Sequence, residues 1–344
     1  MAIKQRVFGQ LPDGENVLEF EFIDGASSMK VITWGGIITS LCIPDKNGKV
    51  SDVVLGFDTL EAYLSKHPFF GAITGRVAGR MPEGKFCIDG QEYRLPINNY
   101  GNHIHGGLRG LDKRNWKGEI ISLAGGEEAL RLSYFSPAGE EDYPGNLDIA
   151  ITYSFRAGAL SIQSEVSTDK ATPVAITNHS YFNLAGSGDI MNHEVQILAD
   201  DYFTCVDETR TPSLVPTPVA GTGSDLREAR RLSDALPNIF QQHGDIYFLS
   251  ANPPATLRKV ARVTEPSTGR ILEVFTNEPC LQFYAGSHLD GTFSGKNWHP
   301  YARFSGLCLE CQGYPAAAGH PEIGDIILRP GTTLCRETRY EFSC

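Results

Sequence analysis

The stretch Leu147-Asp148-Ile149-Ala150-Ile151-Thr152-Tyr153-Ser154-Phe155, with its continuation over residues 160–166, decides the fold class. Apolar and small or polar residues alternate through it, and β-branched and aromatic side chains dominate the apolar set, as expected of half-buried strands. Gly158, between Phe155 and Leu160, predicts a hairpin turn joining the two halves. Short runs of the same kind lie at residues 17–23, 30–43, 130–135, 194–198, 271–275 and 281–284. The chain's 36 glycines and 20 prolines supply turns between them without forming low-complexity tracts. Helical spacing is confined to residues 60–66 and 226–236. No glycine-rich loop joins a strand to a long helix, which argues against a nucleotide-binding α/β fold. The expected architecture is all-β: one large antiparallel β-sandwich spanning residues 1–344 as a single domain. Its long connections are where a site is expected.

A hydrophobic fraction of 41% over 344 residues is enough for a sizeable core. The net charge of −11 argues against nucleic acid or an anionic membrane as partner. No apolar run approaches the roughly 18 residues of a membrane span. The start, Met1-Ala2-Ile3-Lys4-Gln5-Arg6, is followed by no apolar signal core, so cytoplasmic residence is the expectation. The eight cysteines are expected to be reduced and mostly buried rather than a disulfide scaffold.

Five clusters carry the residues capable of chemistry. Thr177-Asn178-His179-Ser180-Tyr181-Phe182-Asn183-Leu184-Ala185-Gly186 sets a group that titrates near neutral pH beside an aromatic ring, which suits a small polar substrate. The others are residues 74–81, with Arg76 and Arg80; 101–107, with His103 and His105; 281–286, with Gln282 and Tyr284; and 305–315, with Glu310. Cys308 and Cys311 have C-x-x-C spacing but neither the helix start of a redox site nor the second pair of a zinc site. On a strand, Cys308 and Glu310 would share one face and Cys311 would point to the other. His103-Ile104-His105 could grip a metal but has no evident third ligand, so no metal site is expected. Glu310 stands in an apolar strand, where a charge is costly unless it is used or paired; Arg303 or Arg80 could be its salt-bridge partner.

Taken together, these clusters resemble the aldose 1-epimerase (galactose mutarotase) family. Gly75-Arg76-Val77-Ala78-Gly79-Arg80 is similar to its Gly-Arg-x-Ala-Asn-Arg, and Asn102-His103-Ile104-His105-Gly106-Gly107 to its Asn-x-Leu-His-Gly-Gly. Thr177 to Leu184 reproduces its Thr-Asn-His-Ser-Tyr-Phe-Asn-Leu. Phe283-Tyr284-Ala285-Gly286 and Ile327-Leu328-Arg329-Pro330-Gly331 resemble its aromatic-Tyr-Thr-Gly and Leu-x-Pro-Gly. The resemblance implies cofactor-free exchange of the α and β anomers of a free aldose, with Glu310 as catalytic base and His179 as acid. It places sugar-binding positions on Arg80, His105, Tyr181 and Gln282. Two departures fall in the sugar-contacting loops. Gly79 replaces an asparagine, so one side-chain hydrogen bond to the sugar is missing or comes from elsewhere. Asp245, in Gly244-Asp245-Ile246-Tyr247-Phe248-Leu249, is one position off the family's aspartate spacing and is the nearest candidate for that role. Gly313-Tyr314-Pro315-Ala316-Ala317 also lacks the usual Pro-Asp.

The expected partner is a neutral monosaccharide, and the chain is expected to be a monomer or homodimer. A nearby carboxylate would favour a protonated His179, and the imidazolium would keep Glu310 ionised. One competing reading is a hexose-6-phosphate mutarotase, which would want more arginine or lysine than Arg76 and Arg80 provide. Another is a non-catalytic sugar-binding protein or sensor on the same sandwich.

Overall fold

The computed structural model describes residues 2–344. Its largest sheet has nine strands. In spatial order they are Lys117–Ser122, Glu128–Ser136, Leu147–Arg156, Ala159–Thr168, Thr333–Ser343, Ile271–Thr276, Arg258–Thr264, Glu194–Ile197 and Arg230–Arg231. Every ladder in it is antiparallel. The predicted hairpin is present: Arg156 pairs with Ala159 across Ala157 and Gly158, both at positive φ (52° and 76°). That is the two-residue turn whose twist matches its strands. The C-terminal strand Thr333–Ser343 lies between Ala159–Thr168 and Ile271–Thr276, so the end of the chain joins the two halves of the sheet.

A five-stranded N-terminal sheet, Ala2–Gln10, Asn16–Asp24, Ser27–Ile32, Ile38–Pro44 and Val50–Asp52, packs against the nine-stranded sheet. Phe20, Phe22, Met29 and Val31 share one core with Leu130, Leu132, Ile151 and Tyr153. Burying each such side chain contributes roughly 1.5–3 kcal/mol before the entropy cost of ordering it. A second five-stranded sheet, in the order Pro212–Pro218, Asp201–Cys205, Ile246–Phe248, Cys280–Tyr284 and Cys308–Gln312, presents the strand that carries Glu310. The β-sandwich expectation therefore holds. Among the described residues, no helix is long and apolar enough to cross a membrane.

Three local expectations need correction. The single run at residues 30–43 is two strands, because Gly35 and Gly36, at φ 63° and 58°, turn the chain between them. The helical spacing at 226–236 yields an α-helix only over Leu232–Ala235; Arg230 and Arg231 instead pair with Glu194–Ile197, where tertiary pairing overrides the local pattern. The cysteines are all free, as expected, but only Cys280, Cys308 and Cys311 are buried, while Cys87, Cys335 and Cys344 are exposed.

Arg76 has a structural role. It is 2% exposed, and its guanidinium donates to the carbonyls of Ser136, Pro137, Pro144 and Gly145 and to Ser136 Oγ. One side chain thus closes the loop that follows Glu128–Ser136 onto the segment preceding Leu147–Arg156. Arg76→Met should lower unfolding stability by about 2–4 kcal/mol, because several buried carbonyls lose their donor together. A urea midpoint equal to that of the parent would show that this clamp contributes nothing.

Candidate active site

The run that contains His179 is held from both sides by backbone bonds. Thr177 and Asn178 pair with Thr74 and Ile73. His179 N donates to Ala72 O at 2.8 Å, and Gly71 N donates to His179 O at 3.0 Å. Asn178 Nδ2 donates to Gly71 O, and Asn178 Oδ1 accepts from Ser180 N, so the short polar residues around the histidine are used to fix its backbone. Thr177 Oγ1 donates to Cys311 O, and Phe182 pairs with Leu307. These bonds tie the run to the strand Cys308–Gln312, more than a hundred residues further along the chain.

Glu310 and His179 meet there. His179 Nε2 lies 3.7 Å from Glu310 Oε2, and both side chains are almost wholly buried. No arginine forms an ion pair with Glu310 among the described residues. Arg303 packs over Phe304, and Arg80 acts on Glu310 only through its charge. The pair lines a cavity of about 1100 Å³ together with Arg80, His105, Tyr181, Asp245 and Gln282. All seven residues singled out from the sequence therefore come to one place.

Each is held in a definite way. Tyr181 stacks on the His179 ring at 5.1 Å between centroids, and Phe69 covers both His179 and His105. Gln282 is the direct cross-strand partner of Glu310. Arg80 Nε donates to Asn99 Oδ1 at 3.0 Å. Asp245 is buried and accepts a 2.6 Å hydrogen bond from Ser224 Oγ. Its position in the cavity wall is unaffected by the shifted spacing of its motif.

His103 and His105 do not act together. His103 is bound between Pro96 O and the Tyr143 hydroxyl. At His105 the backbone turns to φ 50°, which sends its imidazole to the cavity instead. Gly106 follows because a Cβ there would lie 1.6 Å from Gly75 O. His105 Nδ1 accepts from Gly79 N at 3.2 Å, so its Nε2 carries the ring hydrogen and His105 is a donor.

That tautomer bears on metal binding. His105, His179 and Glu310 offer ligand atoms within 4.8 Å of one another. A metal-bound imidazole donates its other N–H outward. In His105 one nitrogen is occupied by an incoming N–H and the other is protonated, so the set fits a donor–acceptor site better than a metal centre.

Burial dominates the titration of the pair. It raises the Glu310 carboxyl to about 8, opposed by the charge of Arg80, and lowers the His179 imidazole to about 4. Taken one at a time, both groups would be neutral near pH 7, contrary to the expected ion pair. Opposite charges about 4 Å apart attract by about 4 kcal/mol at an effective dielectric of 20, roughly three pK units, which offsets much of that burial cost. The pair therefore holds one proton that can sit at either end, and burial favours Glu310.

Some cavity residues escaped the reading of the sequence. Arg210, His243, Phe69 and Lys113 also line the cavity. Arg210 is tied to Gly244 O and Gln241 Oε1, and Lys113 to Asp112. Phe69, Arg210 and His243 sit in irregular loops and Lys113 ends the 3-10 turn Leu111–Lys113, all outside recognisable motifs; only the adjacent aromatics of His67-Pro68-Phe69-Phe70 offered a signal.

The sequence profile of the aldose 1-epimerase family matches residues 19–341. Galactose mutarotase from Rattus norvegicus is 44% identical over 100% of this chain and 99% of its own length. Aldose 1-epimerase from Escherichia coli K12 is 35% identical over 96% of each chain. Among solved structures, the GalM/aldose epimerase homologue from C. elegans superposes with a TM-score of 0.85 at 30% identity, covering 94% of this chain and 98% of its own. The galactose 1-epimerase of Lactobacillus acidophilus gives 0.85 at 28%, covering 99% and 98%. Matched along nearly its whole length, the chain belongs to the aldose 1-epimerase (galactose mutarotase) family.

Proposed function

We propose that this isomerase exchanges the α and β anomers of a free, uncharged aldose of the galactose or glucose type, with Glu310 and His179 as its acid–base pair. The observation that carries the reading is the 3.7 Å approach of two buried titratable groups in a cavity whose wall also carries Arg80, His105, Asp245 and Gln282. The C1 hydroxyl and the ring oxygen of an aldose are bonded to the same carbon, so two groups this close can reach both. Glu310, once ionised, takes the hydroxyl proton while His179 delivers one to the ring oxygen. The C1–O5 bond breaks and an aldehyde forms. Rotation about C1–C2 presents its other face, and closure returns both protons.

Burial keeps the shared proton on Glu310; the reactive form has it on His179. Interconverting the two changes no proton count, so the reactive form is available throughout the window in which the pair holds one proton. Arg80 favours the ionised carboxylate, and stacking on Tyr181 fixes the plane of His179. Arg80, His105, Asp245 and Gln282 are read as the hydroxyl-binding set, because a polyol leaving water must recover its hydrogen bonds. Nothing in this scheme calls for a cofactor. We also take residues 1–344 as one domain with a cytoplasmic location.

Glu310→Gln should lower kcat by at least about 10²-fold with the fold intact, and His179→Asn similarly, as expected for positioned acid–base groups. Polarimetry in a buffer chosen to slow spontaneous exchange reads both. Parent-like rates for Glu310→Gln would sink the assignment, and an effect of His179→Asn on KM alone would make it a binding residue. The pH profile should be flat through neutrality and fall above about 8, where the pair loses its single proton. A rate still rising beyond pH 9 would contradict a shared proton. Glucose should be turned over in preference to glucose 6-phosphate, because Arg210 is bonded to Gly244 O, Lys113 is paired with Asp112 and Arg80 is assigned to the sugar hydroxyls, which leaves only the exposed Lys66 at the cavity rim for a phosphate. The reverse preference, measured as kcat/KM, would move the substrate to the phosphorylated class.

A further inference from the structure

The C-x-x-C spacing gave Cys308 neither a redox nor a zinc role, yet the fold sets its sulfur against the acid of the proposed pair. Sγ lies 3.5 Å from His179 Nδ1, and both residues are buried. At the other ring nitrogen, Nε2 faces Glu310 Oε2 at 3.7 Å. Cys308 and Glu310 are two residues apart on the strand Cys308–Gln312, so their side chains leave one face. A single strand therefore meets both nitrogens of one imidazole.

Stacking alone does not orient that imidazole. The rings of Tyr181 and Phe69 lie at 19° and 21° to its plane. A half turn about the Cβ–Cγ bond would keep both stacks while exchanging Nδ1 with Cδ2 and Nε2 with Cε1. An edge contact has to select one of the two orientations, and Cys308 Sγ offers it. The contact also places the hydrogens. The shared proton moves between Glu310 and Nε2, so the hydrogen that stays with the ring is on Nδ1, donated to the sulfur. Burial, and after it the charge of Glu310, holds the thiol well above its ordinary range, so Sγ is a neutral acceptor. A carboxylate in its place would stabilise the imidazolium and hold its proton back. A neutral sulfur, a weak acceptor, leaves His179 free to give that proton up.

We infer that Cys308 is a positioning residue for the acid, its Sγ accepting from His179 Nδ1–H so that Nε2 alone gains and loses the mobile proton. The inference rests on the aldose reading above. When Nε2 gives its proton to the ring oxygen, Glu310 takes one from the C1 hydroxyl, and the imidazole is left neutral with its hydrogen on Nδ1. Ring closure reverses both transfers. Cys308 exchanges no proton in this cycle and needs no contact with the sugar.

The direct test is long-range proton–nitrogen correlation NMR on protein labelled with nitrogen-15 at its nine histidines, which reads the ring nitrogen that carries hydrogen. The His179 signals are those lost in His179→Asn. In the parent near neutral pH, Nδ1 should be the protonated nitrogen. In Cys308→Ala the hydrogen should shift toward Nε2, and kcat on galactose or glucose should fall about tenfold with KM within about twofold. Cys308→Ser, whose oxygen accepts the same hydrogen, should restore the parent tautomer and a kcat within about threefold of the parent. Thermal denaturation checks that both variants are folded. A hydrogen-free Nδ1 in the parent would overturn the inference, and that reading needs no variant to fold. A serine variant as slow as the alanine variant would also overturn it and leave Cys308 a packing residue. A parent that shows this tautomer but exchanges no aldose would bring down the functional reading instead, so the two failures are distinguishable.

Discussion

A carboxyl group buried in the middle of a strand is the constraint around which this molecule is arranged. Glu310 emerges from Cys308–Gln312, a strand whose five residues are all buried. Ionising it there is costly unless opposite charge stands close. The sheet supplies only Gln282 across the ladder, and Arg80 contributes charge without a direct bond. The partner within reach is His179, itself stripped of water and pushed toward its neutral form. Two groups that each resist charge when alone can share one proton between them, and the anomer exchange proposed for this pair needs that mobility.

Much of the surrounding structure keeps those two side chains in place. The His179 backbone is bonded to Gly71 and Ala72 on one side and its run to Leu307 and Cys311 on the other. Tyr181 and Phe69 then hold the imidazole between rings. Arg76, close to Arg80 in sequence, saturates loop carbonyls and leaves the cavity to Arg80. Two arginines four residues apart therefore go to different places, Arg76 into the loop carbonyls and Arg80 into the cavity wall, a division set by where each side chain points.

Local periodicity made the sandwich legible, because alternation along a strand survives whatever the strand packs against. The Leu147–Arg156 and Ala159–Thr168 hairpin could be read almost to the residue. Residues 30–43 and 226–236 were less legible. The first hides a glycine turn inside an apolar run, and the second has helical spacing that strand pairing partly overrides. Arg210 and His243 reach the cavity from irregular loops, whose course depends on what they pack against.

The sequence by itself determined the all-β class, the family, and seven of the residues that line the cavity, because strand periodicity and motif residues are local properties of the chain. Only the tertiary structure decided how they work. It set the 3.7 Å between His179 and Glu310, the donor tautomer of His105, and the place of Asp245 in the cavity wall. Each of these depends on segments far apart in the chain being brought together without water, and the strength of charges and hydrogen bonds depends on that exclusion.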